Sequence, residues 1–358
     1  MLTRRRFVGT AGATAAIAGA SALALPTGPR RAHAQGRPFT FCSWGGALSA
    51  MEKEAFMDPA EKLFNVKVTN ASPTAQAKIK AMVEANAVEW DLVDVGGRSI
   101  FIGRDQNFLE PIDYKIVANA KNLDKRWVHT HGVYTSTGAT LIAWNDKAFP
   151  GDKGPQSWKD FWDVKNLPGP RGLYKLMYYN YEAAMLAAGV KESEMYPVTP
   201  EKAKQAIAKM AEIKPHVKVW WTAGAQPPQL LSSGELAACS VWSGRLFDAL
   251  KEKAPIGFTW KDGIAWGNAW VVPKGTPHKD LAMKILNSAL TDEAQTRLLG
   301  IGVYGPVLES AAKKATPEQA KQLIMYPDNL KHMMLLSDEQ AGVYMSKYEE
   351  DWNKMLLA

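Results

Sequence analysis

Two patterns of apolar and polar positions recur along the chain. Short apolar runs stopped by glycine predict strands over 39–44, before Gly45 and Gly46, over 66–68, and over 90–95, before Gly96 and Gly97. Between them, apolar residues at helical spacing predict helices over 49–64 and 76–86, the second with Ile79, Met82 and Val83 on one face. This βαβα order predicts a mostly parallel sheet covered by helices. Ligands of such sheets gather beyond the carboxyl ends of the strands, here Trp44 to Gly46 and Gly97 to Ser99.

A further strand is predicted over 138–145. The segment after it is rich in turn formers, with Pro150, Pro155, Pro168 and Pro170, as where a chain enters a second lobe. A short capped helix follows over 157–162. The helix over 199–213 is strongly marked: Thr199 caps, Pro200 takes the first position, and Ala203, Ile207, Met210 and Ile213 form its apolar face. Strands over 217–221 and 235–242 flank a short helix over 228–233. A strand over 269–276 leads to helices over 280–289 and 292–299, and the tail after Thr316 is helical and charged.

The amino terminus changes the charge picture. Thr3-Arg4-Arg5-Arg6-Phe7-Val8 resembles the twin-arginine motif of exported bacterial proteins, and a weakly hydrophobic stretch and Ala32-His33-Ala34 follow it. Together they predict a Tat signal peptide over 1–34, cleaved after Ala34 in the periplasm, with the Tat translocase as partner during export. A membrane anchor or a basic tail is the alternative. The net charge of +7 includes five arginines of this segment, so the remainder is near +2. No basic stripe with interleaved aromatics remains, which argues against nucleic acid, and no later apolar run is long enough to span a membrane. Cys42 and Cys239 sit in apolar, strand-like runs and are expected as buried free thiols; export leaves a disulfide as the alternative. No zinc, dinucleotide, P-loop or nucleophile-elbow motif occurs, and His129 and His131 read as a polar loop, so no cofactor, metal or catalytic role is expected.

Four stretches carry a resemblance: CSWGG, the segment 90–113, STGATLIAWND, and VWSGRLF together with 263–287. They resemble the periplasmic solute-binding proteins of ABC importers, in the polyamine-binding branch. The resemblance implies an α/β, two-lobed, type II periplasmic-binding-protein fold. Each lobe would be a mostly parallel sheet flanked by helices, and crossover strands near 140–146 and 262–268 would form the hinge. It implies lobe 1 over 35–142, lobe 2 over 143–265, a return to lobe 1 over 266–310, and C-terminal helices over 311–358. It also implies a monomer that hands its ligand to ABC permease subunits.

The departures are informative. In the polyamine binders three carboxylates meet the ligand's ammonium groups; the matching positions here are Gly46, Arg245 and Asn268, while the aromatic positions Trp44, Trp242 and Trp266 remain. A diamine beside Arg245, at about 4 Å and an effective dielectric near 20, meets roughly 4 kcal/mol of repulsion, on the order of a thousandfold in affinity. Arg245 instead suits a carboxylate, predicting a small acid or a 4-aminobutyrate-like amino acid as ligand. An ammonium group on that ligand would need a carboxylate, for which Glu182 and Asp262 are candidates. Ser99, Thr137, Gln226 and Tyr304 complete the expected ligand-binding set. Each has a plainer alternative: Arg245 paired with Asp248 on a helix face, tryptophans in the core, Thr137 shaping the crossover, Gln226 capping a helix. Arg98 reads as a turn or lobe-surface residue. A polyamine receptor is the runner-up. Behind it stand an exported enzyme and a ferric-iron receptor using Tyr178, Tyr179 and Tyr181, although successive residues of one helix diverge by about 100°.

Overall fold

A computed structural model describes residues 37–301 and 304–358; the expected signal over 1–34 lies outside the described residues. The strands are β1 (Phe39–Cys42), β2 (Val68–Ala71), β3 (Leu92–Gly96), β4 (Val128–His129), β5 (Gly132–Asn145), β6 (Arg171–Tyr174), β7 (Val217–Trp221), β8 (Ala238–Trp242), β9 (Ile256–Val271) and β10 (Met333–Leu335). They form one sheet in the order β2-β1-β3-β9-β5-β8-β6-β7, with β10 on β9 and β4 on β5. Along this path parallel pairing falls at the two ends, β2-β1-β3 and β8-β6-β7, and off it β10 pairs in parallel with β9. The middle is antiparallel, because β5 and β9 carry the chain across and back.

These two long strands make the molecule two-lobed. The carboxyl half of β9 pairs with β3, Asn268 opposite Gly96, while its amino half follows β5 down to Ile256 opposite Asn145. The far half of β5 meets β8, from Thr140 opposite Trp242 to Trp144 opposite Ala238. Each end of the sheet therefore has its own helical cover, and the crossover strands join the two.

Local signals account for much of this. The helix Pro200–Ile213 begins where expected, Thr199 accepting from the N–H of Lys202. Ser157 caps the helix Trp158–Trp162 in the same way. The helix expected over 49–64 starts earlier, at Gly46, and runs through a π turn to Phe64, where Asn65 turns left-handed. The second strand is displaced from 66–68 to Val68–Ala71. Strand β6 carries no apolar run because Arg171 is fully buried in it, donating to the carbonyls of Phe161 (3.0 Å), Gly169 (2.9 Å) and Leu167. A buried guanidinium is tolerated when its N–H groups are hydrogen-bonded, as they are here. Trp270 is also core, 4.9 Å from Phe41 and 5.3 Å from Phe56 between ring centres. Cys42 and Cys239 are buried and free. Among the described residues no helix is long and apolar enough to cross a membrane.

Candidate functional site

The crossover strands, the end of β8 and the segment returning at Tyr304 bring six aromatic rings together. Trp266 of β9 lies 6.4 Å from Trp242, 5.8 Å from Tyr304 and 5.9 Å from Tyr179. Tyr174 at the end of β6 lies 5.6 Å from Trp242 and 6.2 Å from Tyr179, and Trp221 closes the back at 5.1 Å from Trp242. Gly138 lets Trp266 lie flat on β5, since a Cβ there would come within 2.5 Å of the ring. Trp266 Nε1 donates to Thr140 Oγ1 at 3.1 Å, which fixes the ring. Trp242 Nε1 is buried and has no acceptor among the described residues. A buried donor left without a partner costs on the order of 1–3 kcal/mol, and a ligand acceptor would relieve it.

Tyr179 sits in this box with φ +68, a left-handed conformation that disfavours side chains by about 1–2 kcal/mol. The helix begins after it, at Asn180. This corrects the expectation that Tyr178 and Tyr179 diverge around a helix: their rings lie 4.0 Å apart. Burial pushes both phenols well above their ordinary range, with Asp338 acting in the same direction. That opposes the phenolate form a ferric ion needs.

Arg245 lies on the first turn of the helix Ser243–Lys251, which starts directly at the end of β8. Its guanidinium reaches the other lobe: a Cβ on Gly46 would be 3.4 Å from Nη2 and 3.9 Å from Nη1. Gly46 has φ +61, where glycine is at ease, so the turn after β1 leaves room for the arginine. The side chain is half-buried and makes no hydrogen bond or ion pair among the described residues. Asp248, its alternative partner, pairs with Lys251 at 3.7 Å. Tyr304 is pushed up to about 12 by burial, and the positive charge of Arg245 acts against that shift. The arginine is thus close to the box and has no ion-pair partner among the described residues.

The remaining expected residues are spread around this centre. Asn268 is buried in β9 and donates to Ser136 Oγ at 3.3 Å. Ser99 donates to Gln76 at 3.0 Å. Thr137 exchanges backbone bonds with Gly305 (2.9 and 3.0 Å) and donates its hydroxyl to the carbonyl of Pro306, so it ties the returning segment to the hinge. Gln226 accepts from the N–H groups of Thr222 (2.8 Å) and Ala223 (3.0 Å) and braces the loop before its helix. Trp44 is 47 % exposed and stands apart from the ring cluster. Neither candidate carboxylate enters the box. Glu182 is buried under Tyr196 (2.8 Å) and Tyr344 (3.1 Å), and Asp262 accepts from the N–H of Trp158 at 3.3 Å.

Tyr174 carried no signal in the sequence, Tyr179 was expected on a helix, and Arg98 was expected as a turn or lobe-surface residue. Arg98 opens the helix Arg98–Asp105, and its guanidinium lies over the Tyr178 ring, 5.2 Å from the centre. Below it, Asp338 accepts from Tyr178 (2.5 Å) and, over a very short hydrogen bond, from Tyr134. Asp338 opens a C-terminal helix, Tyr134 is on β5 and Tyr178 precedes a lobe 2 helix, so this cluster ties both lobes to the chain's end. A Cβ on Gly97 would overlap both Tyr134 and Asp338.

Two α/β lobes hinged on paired strands, with an aromatic box and an unpaired cation between them, define a receptor for a small solute. The chain belongs to the bacterial extracellular solute-binding proteins, whose profile matches residues 54–327. It is 35 % identical to the gamma-aminobutyric acid-binding protein of Pseudomonas aeruginosa over 279 residues, 77 % of this chain and 78 % of that one. Its similarity to the spermidine/putrescine-binding periplasmic protein of Escherichia coli is lower, 25 % over 297 residues, covering 80 % and 82 %. In three dimensions it resembles an ABC transporter substrate-binding protein from Bradyrhizobium japonicum, with a TM-score of 0.84 and 33 % identity, covering 89 % of this chain and 99 % of that one.

Proposed function

We propose that the protein captures a small carboxylate-bearing solute, a 4-aminobutyrate-like amino acid or related organic acid, and delivers it to the permease of an ABC importer. The observation that carries this reading is Arg245: a half-buried guanidinium beside the ring cluster, facing Gly46 of the opposite lobe. Removing a cation from water without a counter-charge is unfavourable, and a ligand carboxylate supplies both charge and a bidentate acceptor. The name of the Pseudomonas relative supports the same ligand class. The polyamine alternative is disfavoured by the same guanidinium, which repels an ammonium group.

In this reading the lobes span 35–142 with 266–310, and 143–265, with 311–358 packed on them. Ligand held on one lobe gains contacts from the other on closing, and so biases an open–closed equilibrium. The twin-arginine segment would export the folded chain to the periplasm as a monomer, with cleavage after Ala34. The test is a thermal-shift screen of the purified protein against 4-aminobutyrate, mono- and dicarboxylates, and putrescine or spermidine. Carboxylates should raise the melting temperature. Stabilisation by polyamines with none by any acid would overturn the reading.

A further inference from the structure

Arg98 and Arg245 share one peculiarity: each is a half-buried guanidinium whose side chain forms no hydrogen bond or ion pair among the described residues. They border the ring cluster from opposite sides. Arg245 is close enough to Tyr304 to act on its phenol, and Arg98 acts likewise on Tyr174 and Tyr179. Between them run the rings of Tyr178, Tyr179 and Trp266, at steps of 4.0 and 5.9 Å. The other side of Arg98 borders a groove of about 510 Å³, which also reaches Leu176 of lobe 2.

The acids nearby form no side-chain ion pair with either arginine among the described residues. Asp338, whose charge acts on Arg98, has its oxygens hydrogen-bonded by Tyr134 and Tyr178, and Asp105 and Glu339, in the groove beside Arg98, pair with Arg104. Asp94 is fully buried with no donor to either oxygen among the described residues. Burial, reinforced by Glu52, holds its carboxyl well above the usual carboxylate range. An ammonium group entering the box would find aromatic faces and two cations, while Asp338 and Asp94 are buried.

We propose that Arg98 is a second anion-binding position of the cleft, so that the preferred solute carries two acidic groups, one for each arginine, joined by an uncharged body lying along the aromatic rings. This inference rests on the reading of Arg245 as a carboxylate anchor and narrows it from carboxylates in general to di-acids. The aromatic wall between the arginines suits methylene or ring carbons, and the distance between them selects the separation of the two acids.

Calorimetric titration of the purified protein tests this with α,ω-dicarboxylates from succinate to suberate, the monocarboxylates of matching length, and 4-aminobutyrate. One dicarboxylate should bind at least about tenfold more tightly than its monocarboxylate and than 4-aminobutyrate. Arg98→Gln should abolish that advantage while changing monocarboxylate binding less than about threefold, and Arg98→Lys should retain part of it. Melting curves without ligand confirm that both variants fold. The proposal is overturned if monocarboxylates or 4-aminobutyrate bind as tightly as every di-acid, or if Arg98→Gln weakens mono- and dicarboxylates equally. If no carboxylate binds and putrescine does, the reading of Arg245 falls with it. The first two outcomes leave that reading standing.

Discussion

The substitution Arg245→Gln separates a ligand anchor from a structural arginine. Glutamine keeps most of the volume and one donor but removes the charge and the second arm of the fork. In the free protein no partner is lost, because Arg245 bonds to nothing among the described residues and Asp248 is already paired with Lys251. Apo stability should therefore change by less than about 0.5 kcal/mol, the range for substitutions that break no contact. In the complex, a carboxylate about 4 Å from the guanidinium at an effective dielectric near 20 is attracted by roughly 4 kcal/mol. A neutral amide donor recovers about 1 kcal/mol of this. The net loss is about 2–3 kcal/mol, or roughly 30- to 200-fold in Kd. Calorimetry with 4-aminobutyrate and glutarate reads the affinity, and differential scanning fluorimetry reads the apo melting point. Unchanged affinity, or an apo melting point lowered by ten degrees or more, would refute the reasoning.

Gly46→Asp should place a carboxylate within reach of Arg245, at a φ that aspartate tolerates better than most residues. Calorimetry should then show carboxylate binding weakened by about tenfold or more. Gly97→Ala should force Tyr134 and Asp338 apart and cost about 1–3 kcal/mol, read as a lower urea midpoint. Burial raises the folded-state pKa of both Glu52 and Glu182 from 4.5 to about 7. Between those values the folded state binds more protons than the unfolded state. Their contribution to stability is therefore fully present below pH 4.5 and is lost as pH rises to about 7, at up to about 1.4 kcal/mol per pH unit for each group. Glu52→Gln should flatten unfolding free energies measured across this window, and an unchanged slope would show that Glu52 ionises freely in the fold.

Much of this protein is written locally. Thr199-Pro200 starts a helix because a side-chain oxygen and a fixed φ act within one turn. The pairing of Trp242 with Arg245 at a strand end and helix start was equally legible, since only Ser243 and Gly244 lie between them. Glycine at 46 and arginine at 245 could be read as a changed ligand charge, but only by setting them against a family pattern. That the two face each other across the lobes is a tertiary fact, produced when β5 and β9 carry the chain over and back. Residues whose roles depend on distant partners left no local trace. Tyr134 meets Asp338 from 204 positions away. Arg171 is buried because three carbonyls close around it. Tyr179 adopts φ +68, which nothing in its neighbours demands and only the packed rings sustain. Side-chain propensity and hydrophobic period act over a few residues, so the sequence by itself determined many of the elements, the receptor class and the sign of charge at position 245, but not β6, β10 or the length of β9. Burial and long-range approach exist only once the chain is folded, and they alone decided which rings form the box, which acids are silenced, and that Arg98 lies against Tyr178.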